Sequence, residues 1–294
     1  MNAITDSIYE DIFIIGMGTF PVAVYDLFTK YGISPRLIEC GPESSYFKYL
    51  CTKKSIKYKN LSRDQLTKLL GETTKLTLVV SSVNKYIFPN EILSKPNIVA
   101  INYHNSILPK HRGSHAEAFA IFDMDEYTGS TWHYVAKEVD RGNIIAENRI
   151  KISRDETSIS LLSRQNEGAL KLLETFLPNL LSNKISDTKK VASGGEFHLS
   201  KDLPSNGILN FEWSINKVYA FLRSFDYGEL ELIGRPCLVY GGHRYTWRAY
   251  SLIPEKCSDS GIVFDANKHT VEIRKTGSID FVRLHNVEML EQER

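Results

Sequence analysis

An amide and an imidazole one residue apart open the stretch Asn102-Tyr-His-Asn-Ser-Ile-Leu-Pro-Lys-His-Arg-Gly113. The apolar run Ile98–Ile101 before them reads as a buried strand, and Pro109 and Gly113 punctuate the loop that leaves it. Two residues apart on an extended chain, Asn102 and His104 point the same way. The carboxyl end of a strand in an open parallel α/β sheet is where ligands bind and chemistry is done. Further along, Val139-Asp-Arg-Gly142 lies between two more strand-like runs. An Asp-x-Gly turn there either presents Asp140 inward or is an ordinary turn aspartate. Asparagine, histidine and aspartate at strand ends would supply an oxyanion donor, a proton-handling group and a carboxylate that orients it. That set suits attack by a neutral nucleophile on a carbonyl.

The elements that must position these residues alternate through the first part of the chain. Asp11–Ile15, Arg36–Cys40, Leu76–Val80 and Ile98–Asn102 read as strands. Helices are expected over Phe20–Tyr31 with Thr19 as cap, over Ser62–Leu70 with Ser62 capping and Gln65 completing a capping box, over Pro89–Ser94 and over Ser114–Phe122. Extended runs follow over Thr131–Val139 and Asn143–Ile152, then a long amphipathic helix over Ser158–Leu181. Such alternation implies an α/β fold with a mostly parallel, helix-covered, Rossmann-like sheet.

The character changes near Asn183, and the expected organisation is a catalytic domain over 1–183, a polar linker over 184–207 and a small β domain over 208–294. In the last of these, one helix near Ser214–Phe225 is followed by short strands at 236–240, 244–251, 261–265, 270–274 and 279–284. Gly241-Gly242 is a hairpin signal between the first two. Several short strands with turns at regular spacing suggest a barrel or sandwich.

Composition is that of an ordinary globular protein, 42% hydrophobic and 24% charged over 294 residues. Lys+Arg at 36 against Asp+Glu at 35 leaves a net charge of +1, with no long basic stripe, which argues against a large phosphate-neutralising surface. Met1–Asp6 lacks the pattern of a signal peptide, no apolar run is long enough for a membrane span, and Cys40, Cys51, Cys237 and Cys257 form no Cys-x-x-Cys pair. A cytoplasmic protein with reduced thiols is expected.

Other residues carry weaker signals. Gly16-Met-Gly18 opens a helix as a phosphate-binding turn would, with Glu39 near the distance of a ribose carboxylate, but Pro21 stands at the third fingerprint position. A tight strand-to-helix turn explains the glycines as well. His111 and His115 are four apart with Gly113 between them, so no metal site is expected. His133 alternates with Trp132 and Tyr134 and reads as a half-exposed strand residue, while His243, His269 and His285 belong to no constellation.

Asn102–Gly113, Thr128-Gly-Ser-Thr-Trp-His133 and Val139-Asp-Arg-Gly-Asn-Ile-Ile145 together resemble the 10-formyltetrahydrofolate-dependent formyltransferases. Leu173–Pro178 at the end of the long helix, and Phe211-Glu-Trp-Ser214 with Val218–Arg223, extend the resemblance over nearly the whole chain. It implies a Rossmann-like catalytic domain followed by an OB-like barrel, with catalytic positions at Asn102, His104 and Asp140. The folate donor would lie against Tyr86, Ile87 and Phe88 and against Ala136, Lys137, Glu138 and Val139. Ser106, Arg112 and Ser114 would face the acceptor, Ser114 standing where relatives with an anionic acceptor place arginine.

The expected reaction moves a formyl group from 10-formyltetrahydrofolate to a primary amine of a small molecule, with no metal and no covalent enzyme intermediate. A nucleotide-linked amino sugar is the expected acceptor; an amino acid or peptide amine and methionyl-tRNA are the alternatives. A folate- or nucleotide-binding module without turnover, and a nicotinamide oxidoreductase, are the competing classes. No nucleic-acid or membrane partner is expected, and the oligomeric state is left open, a homodimer among the options.

Overall fold

A computed structural model of the chain describes residues 7–230 and 232–290. The Met1–Asp6 segment, read above as lacking a leader, lies outside the described residues. The chain forms two compact units. One takes the described residues up to Gly113 together with Gly129–Ile150 and Arg164–Phe197; the other takes Ser114–Thr128, Lys151–Ser163 and the residues from His198 onward.

The first unit is built on a seven-stranded sheet. In chain order its strands and helices are β1 (Asp11–Gly16), α1 (Thr19–Lys30), β2 (Arg36–Cys40), α2 (Ser45–Lys53), β3 (Tyr58–Leu61), α3 (Arg63–Glu72), β4 (Thr77–Ser82), α4 (Asn90–Leu93) and β5 (Ile98–His104). Then follow β6 (Arg112–Gly113), β7 (Tyr127–Tyr134), β8 (Ile144–Lys151), α6 (Ser158–Leu181) and β9 (Phe197–His198), while α5 (Ala116–Phe122), between β6 and β7 in the chain, belongs to the second unit. The sheet order is β3-β2-β1-β4-β5-β7-β8, parallel from β3 to β5, with β7 antiparallel to β5.

Strict alternation along the central strands explains the layering. Ile12 and Ile14 of β1 and Leu78 and Val80 of β4 enter one core with Phe20, Val24 and Phe28 of α1 and Leu173 and Leu177 of α6. Their neighbours Phe13, Ile15 and Val79 enter a second core with Leu66 and Leu70 of α3 and with Tyr86, Phe88 and Ile92. A strand buried on both faces loses the polar alternation of a surface strand, which is why these runs are continuously apolar. Gly16 lets β1 and β4 run together to their ends, because a Cβ there would lie 1.9 Å from the Ser82 carbonyl oxygen.

The α1 start differs from expectation: Gly18 is the N-cap and Thr19 the first helical residue, with no side-chain cap. The Ser62–Gln65 capping box is present. β7 stops at Tyr134, short of the expected Val139, because the chain leaves the sheet to form the Asp140 turn. α2 and the edge strand β3 were not legible as elements in the sequence.

Residues 189–197 are not a free linker. Lys189 exchanges both backbone hydrogen bonds with Ile144, at 2.7 and 3.0 Å. The Arg112 N–H donates to Glu196 O at 3.0 Å, and Arg141 donates to Ala192 O at 2.6 Å and Gly194 O at 2.7 Å. The segment is a strap over the loops that follow β5 and β7.

In the second unit, α5 and α7 (Ile215–Ser224) accompany two antiparallel-dominated sheets. One is β10 (Ile208–Leu209), β11 (Cys237–Tyr240), β12 (His243–Thr246) and β17 (Glu288–Met289); the other is β13 (Ala249–Ile253), β16 (Phe281–His285), β15 (Thr270–Arg274) and β14 (Gly261–Asp265), each given in sheet order. The expected OB-like barrel is not confirmed by these sheets. Among the described residues the strands make two separate four-stranded sheets with open edges. They close instead over a shared core of Val218, Phe221, Leu238, Val271, Val282 and Leu284. The Gly241-Gly242 hairpin is present, pairing Tyr240 with His243.

Candidate active site

Asn102, His104 and Asp140 meet at the carboxyl edge of the large sheet. Along β5, Ile101 and Tyr103 enter the α1 side core, so Asn102 and His104 are left facing the other way, where the helices stop short of the strand ends. Asp140 arrives from the loop after β7 in a left-handed backbone conformation, φ 55°. That loop doubles back tightly because Gly142 has no Cβ; one would sit 1.7 Å from the Tyr134 carbonyl oxygen.

The Asp140 carboxylate is 6% exposed and is surrounded by polar groups. The Gly113 N–H donates to Oδ2 at 2.8 Å, and His104 Nδ1 stands 3.5 Å from the same oxygen. Oδ1 lies 3.3 Å from His133 Nε2 and 3.5 Å from Asn102 Nδ2. Burial by itself would raise the pKa of such a group. His104 and the Gly113 N–H outweigh it and hold the carboxyl well below the usual carboxylate range. The other ring nitrogen of His104, Nε2, donates to the His111 carbonyl at 2.9 Å, and His111 itself is in the left-handed region, φ 48°. Both ring nitrogens of His104 therefore face acceptors.

His133 and Ser81 complete the network, and sequence reasoning missed both. His133 is 2% exposed, where a half-exposed strand residue was expected. It pairs directly with Asn102 across the antiparallel β5–β7 ladder, and Ser81 pairs with Asn102 on the parallel side. The available signal was that Ser81 also ends a buried strand; the pairing of His133 depends on a cross-strand register that spacing does not give.

The remaining expected site residues fall as follows. Tyr86 and Phe88 are buried and packed edge to face, with centroids 4.9 Å apart, while Ile87 is 59% exposed. Ala136 and Val139 are half-buried, and Lys137 and Glu138 are exposed. Ser106 donates to Lys110 O at 2.6 Å and braces the loop after β5. Arg112 Nη1 and Nη2 reach the carbonyls of Val139 and Gly195 at 3.5 Å, its guanidinium lies 5.5 Å from the Phe197 ring, and its buried Nε has no partner. Ser114 falls in the second unit, where its N–H donates to His198 O at 2.9 Å. Glu39 accepts from Ser44 N and from Asn60 Nδ2, so its carboxylate is engaged within the fold.

Residues 42–177, which include every member of this network, match the formyl transferase family. The chain is 30% identical over 184 residues to the bifunctional polymyxin resistance protein ArnA of Wigglesworthia glossinidia brevipalpis, covering 58% of this chain and 27% of that protein. It is 33% identical over 128 residues to methionyl-tRNA formyltransferase of Bacillus thuringiensis (strain Al Hakam), covering 44% of this chain and 40% of that protein. The chain thus spans well under half the length of these curated relatives.

Two solved structures share the fold of this chain over most of its length. The N-formyltransferase of Helicobacter canadensis, in complex with folinic acid and dTDP-3-aminofucose, superposes with a TM-score of 0.72 at 17% identity, covering 95% of this chain and 99% of that one. WlaRD, a sugar 3N-formyl transferase with dTDP and 5-N-formyl-THF, gives a TM-score of 0.70 at 17% identity, covering 96% and 98%. Among the described residues no helix is long and apolar enough to cross a membrane.

Proposed function

We propose that the protein is an N-formyltransferase that moves the formyl group of 10-formyltetrahydrofolate to the primary amine of a nucleotide-linked amino sugar. The observation that carries this reading is the convergence of Asn102, His104 and Asp140 around one buried carboxylate, in a domain of the formyl transferase family. The two structural neighbours, in complex with a formylated folate and a dTDP sugar or dTDP, support the choice of donor and acceptor. A net charge of +1 supports a small acceptor over an RNA.

In this reading the acceptor nitrogen attacks the formyl carbon, and the carbonyl oxygen gains negative charge opposite the Asn102 amide and the His104 ring, whose Nε2–H turns to it from the His111 carbonyl. The C–N10 bond then breaks, tetrahydrofolate leaves, and the proton lost by the amine ends on N10. Asp140 orients His104. Directly or through water, its carboxylate relays the amine proton to N10. Tyr86, Phe88 and the Ala136–Val139 loop would flank the folate, and Arg112 would meet an acceptor phosphate. The chemistry would belong to a catalytic domain over 1–183, with the small β domain over 208–294 outside it. The four buried free cysteines fit a reducing, cytoplasmic setting.

The test is incubation with 10-formyltetrahydrofolate and a panel of dTDP- and UDP-linked amino sugars, amino acids and methionyl-tRNA, read by mass spectrometry. Gain of one formyl group by an amino sugar is expected. Formylation of none of them, or of the tRNA alone, would overturn the reading.

A further inference from the structure

The Asn102 carboxamide is held at both ends. Its oxygen accepts from Ser81 Oγ at 2.7 Å, and its nitrogen lies 3.2 Å from His133 Nε2 and 3.5 Å from Asp140 Oδ1. Turning the amide over would set its oxygen against the His133 lone pair and the Asp140 carboxylate, three acceptors with no proton between them. The amide therefore has one preferred orientation, provided His133 presents a lone pair at Nε2. Its surroundings dictate that it does. Nδ1 lies 2.8 Å from the Tyr134 carbonyl oxygen, which can only accept, so the proton of the neutral ring sits on Nδ1.

We propose that His133 is a positioning residue for formyl transfer: its Nε2 takes one N–H of Asn102 and leaves the other for the oxygen of the reacting carbonyl. The inference rests on the function proposed above. The second N–H has only Asp140 Oδ1 at 3.5 Å, a distance at which a hydrogen bond is weak, and a carbonyl oxygen gaining charge displaces it. A proton on Nε2 would give the opposite arrangement. His133 would then donate to Asp140 Oδ1, 3.3 Å away, and would face the Asn102 nitrogen donor against donor. The charged or titratable groups that face His133 are Asp140 and, across that carboxylate, His104. His133 thus chooses between two neighbours, and only one choice holds Asn102 in line.

Two variants separate this role from packing. His133→Gln keeps an acceptor oxygen near the Nε2 position, whereas His133→Met keeps the bulk and removes the acceptor. In the full-length protein, assayed with 10-formyltetrahydrofolate and the amine found by the panel, His133→Met should lower kcat about ten- to a hundredfold with the KM for folate unchanged. His133→Gln should stay within about threefold of wild type. A methionine variant as fast as wild type would overturn the inference, and so would equal losses in both variants. A second readout needs no substrate. Nitrogen-detected NMR of the full chain with isotope-labelled histidine, with His133 assigned by its disappearance in His133→Gln, should show its proton on Nδ1 near neutral pH. A proton on Nε2 would overturn the inference. Absence of formyl transfer by the wild type would instead sink the functional reading, and the NMR result would still decide the arrangement of His133.

Discussion

Asp140→Asn tests the electrostatics of the site without needing a substrate. The replacement keeps an oxygen for the Gly113 N–H, at 2.8 Å in the native protein, so that hydrogen bond survives. What disappears is a negative charge, 6% exposed, that faces His104 at 3.5 Å and His133 at 3.3 Å. Removing one member of a buried charged set leaves the others uncompensated and costs about 3–5 kcal/mol. Taking the lower end, because neither histidine contact is short, the variant should lose about 3 kcal/mol, or about 6–12 °C in Tm for a unit of this size. The pH dependence has a fixed sign. The folded carboxyl lies below its unfolded value of about 4, so it stabilises the fold above that pH and ceases to as the pH falls through its folded pKa. The gap between wild type and variant should be full at neutral pH and narrow as acid protonates the unfolded carboxyl. Thermal unfolding followed by circular dichroism, from neutral pH down to about pH 3.5, gives both quantities. Equal melting at neutral pH, or a gap that does not narrow in acid, would refute the reasoning.

Three further outcomes follow from the same structure. Asn102→Ala and His104→Ala should each lower formyl-transfer kcat by about a hundred- to a thousandfold, with folate affinity by fluorescence titration nearly unchanged. Gly16→Ala should destabilise the protein by about 3 kcal/mol or more in urea unfolding, since the added Cβ meets backbone at 1.9 Å and cannot be relieved by a rotamer change. Arg141→Ala should free the strap, which it holds through the Ala192 and Gly194 carbonyls, and speed limited proteolysis within residues 189–197 while leaving global melting nearly unchanged.

The residues that punctuate strand ends were the legible part of the site. Asn102 and His104 followed from a buried run and the Pro109 and Gly113 breaks, and Asp140 from an Asp-x-Gly turn, all local signals. His133 was illegible because its partner is set by the antiparallel register of β7 on β5, a non-local pairing. The strap over 189–197 reads as a linker because its composition is polar and its hydrogen bonds run to Ile144, Arg112 and Arg141, far away in sequence. β3 was missed because an edge strand with the half-exposed, exposed, exposed, half-exposed pattern of Tyr58–Leu61 carries no alternation. The C-terminal strands were legible one by one, but whether strands close a barrel or stop at open edges is decided by pairings that local patterns do not encode.

Formyl transfer from folate to an amino sugar at the Asn102–His104–Asp140 site is proposed, not yet observed, and it leaves a trace that can be followed. The most direct measurement follows the formyl carbon itself, with isotope-labelled 10-formyltetrahydrofolate mixed with a dTDP-linked amino sugar and observed by NMR. The label should move from N10 of the folate to the sugar amine with the wild-type protein and stay on the folate with His104→Ala. A label that remains on the folate with wild type, appears in solution as formate, or moves equally well with His104→Ala would contradict the account.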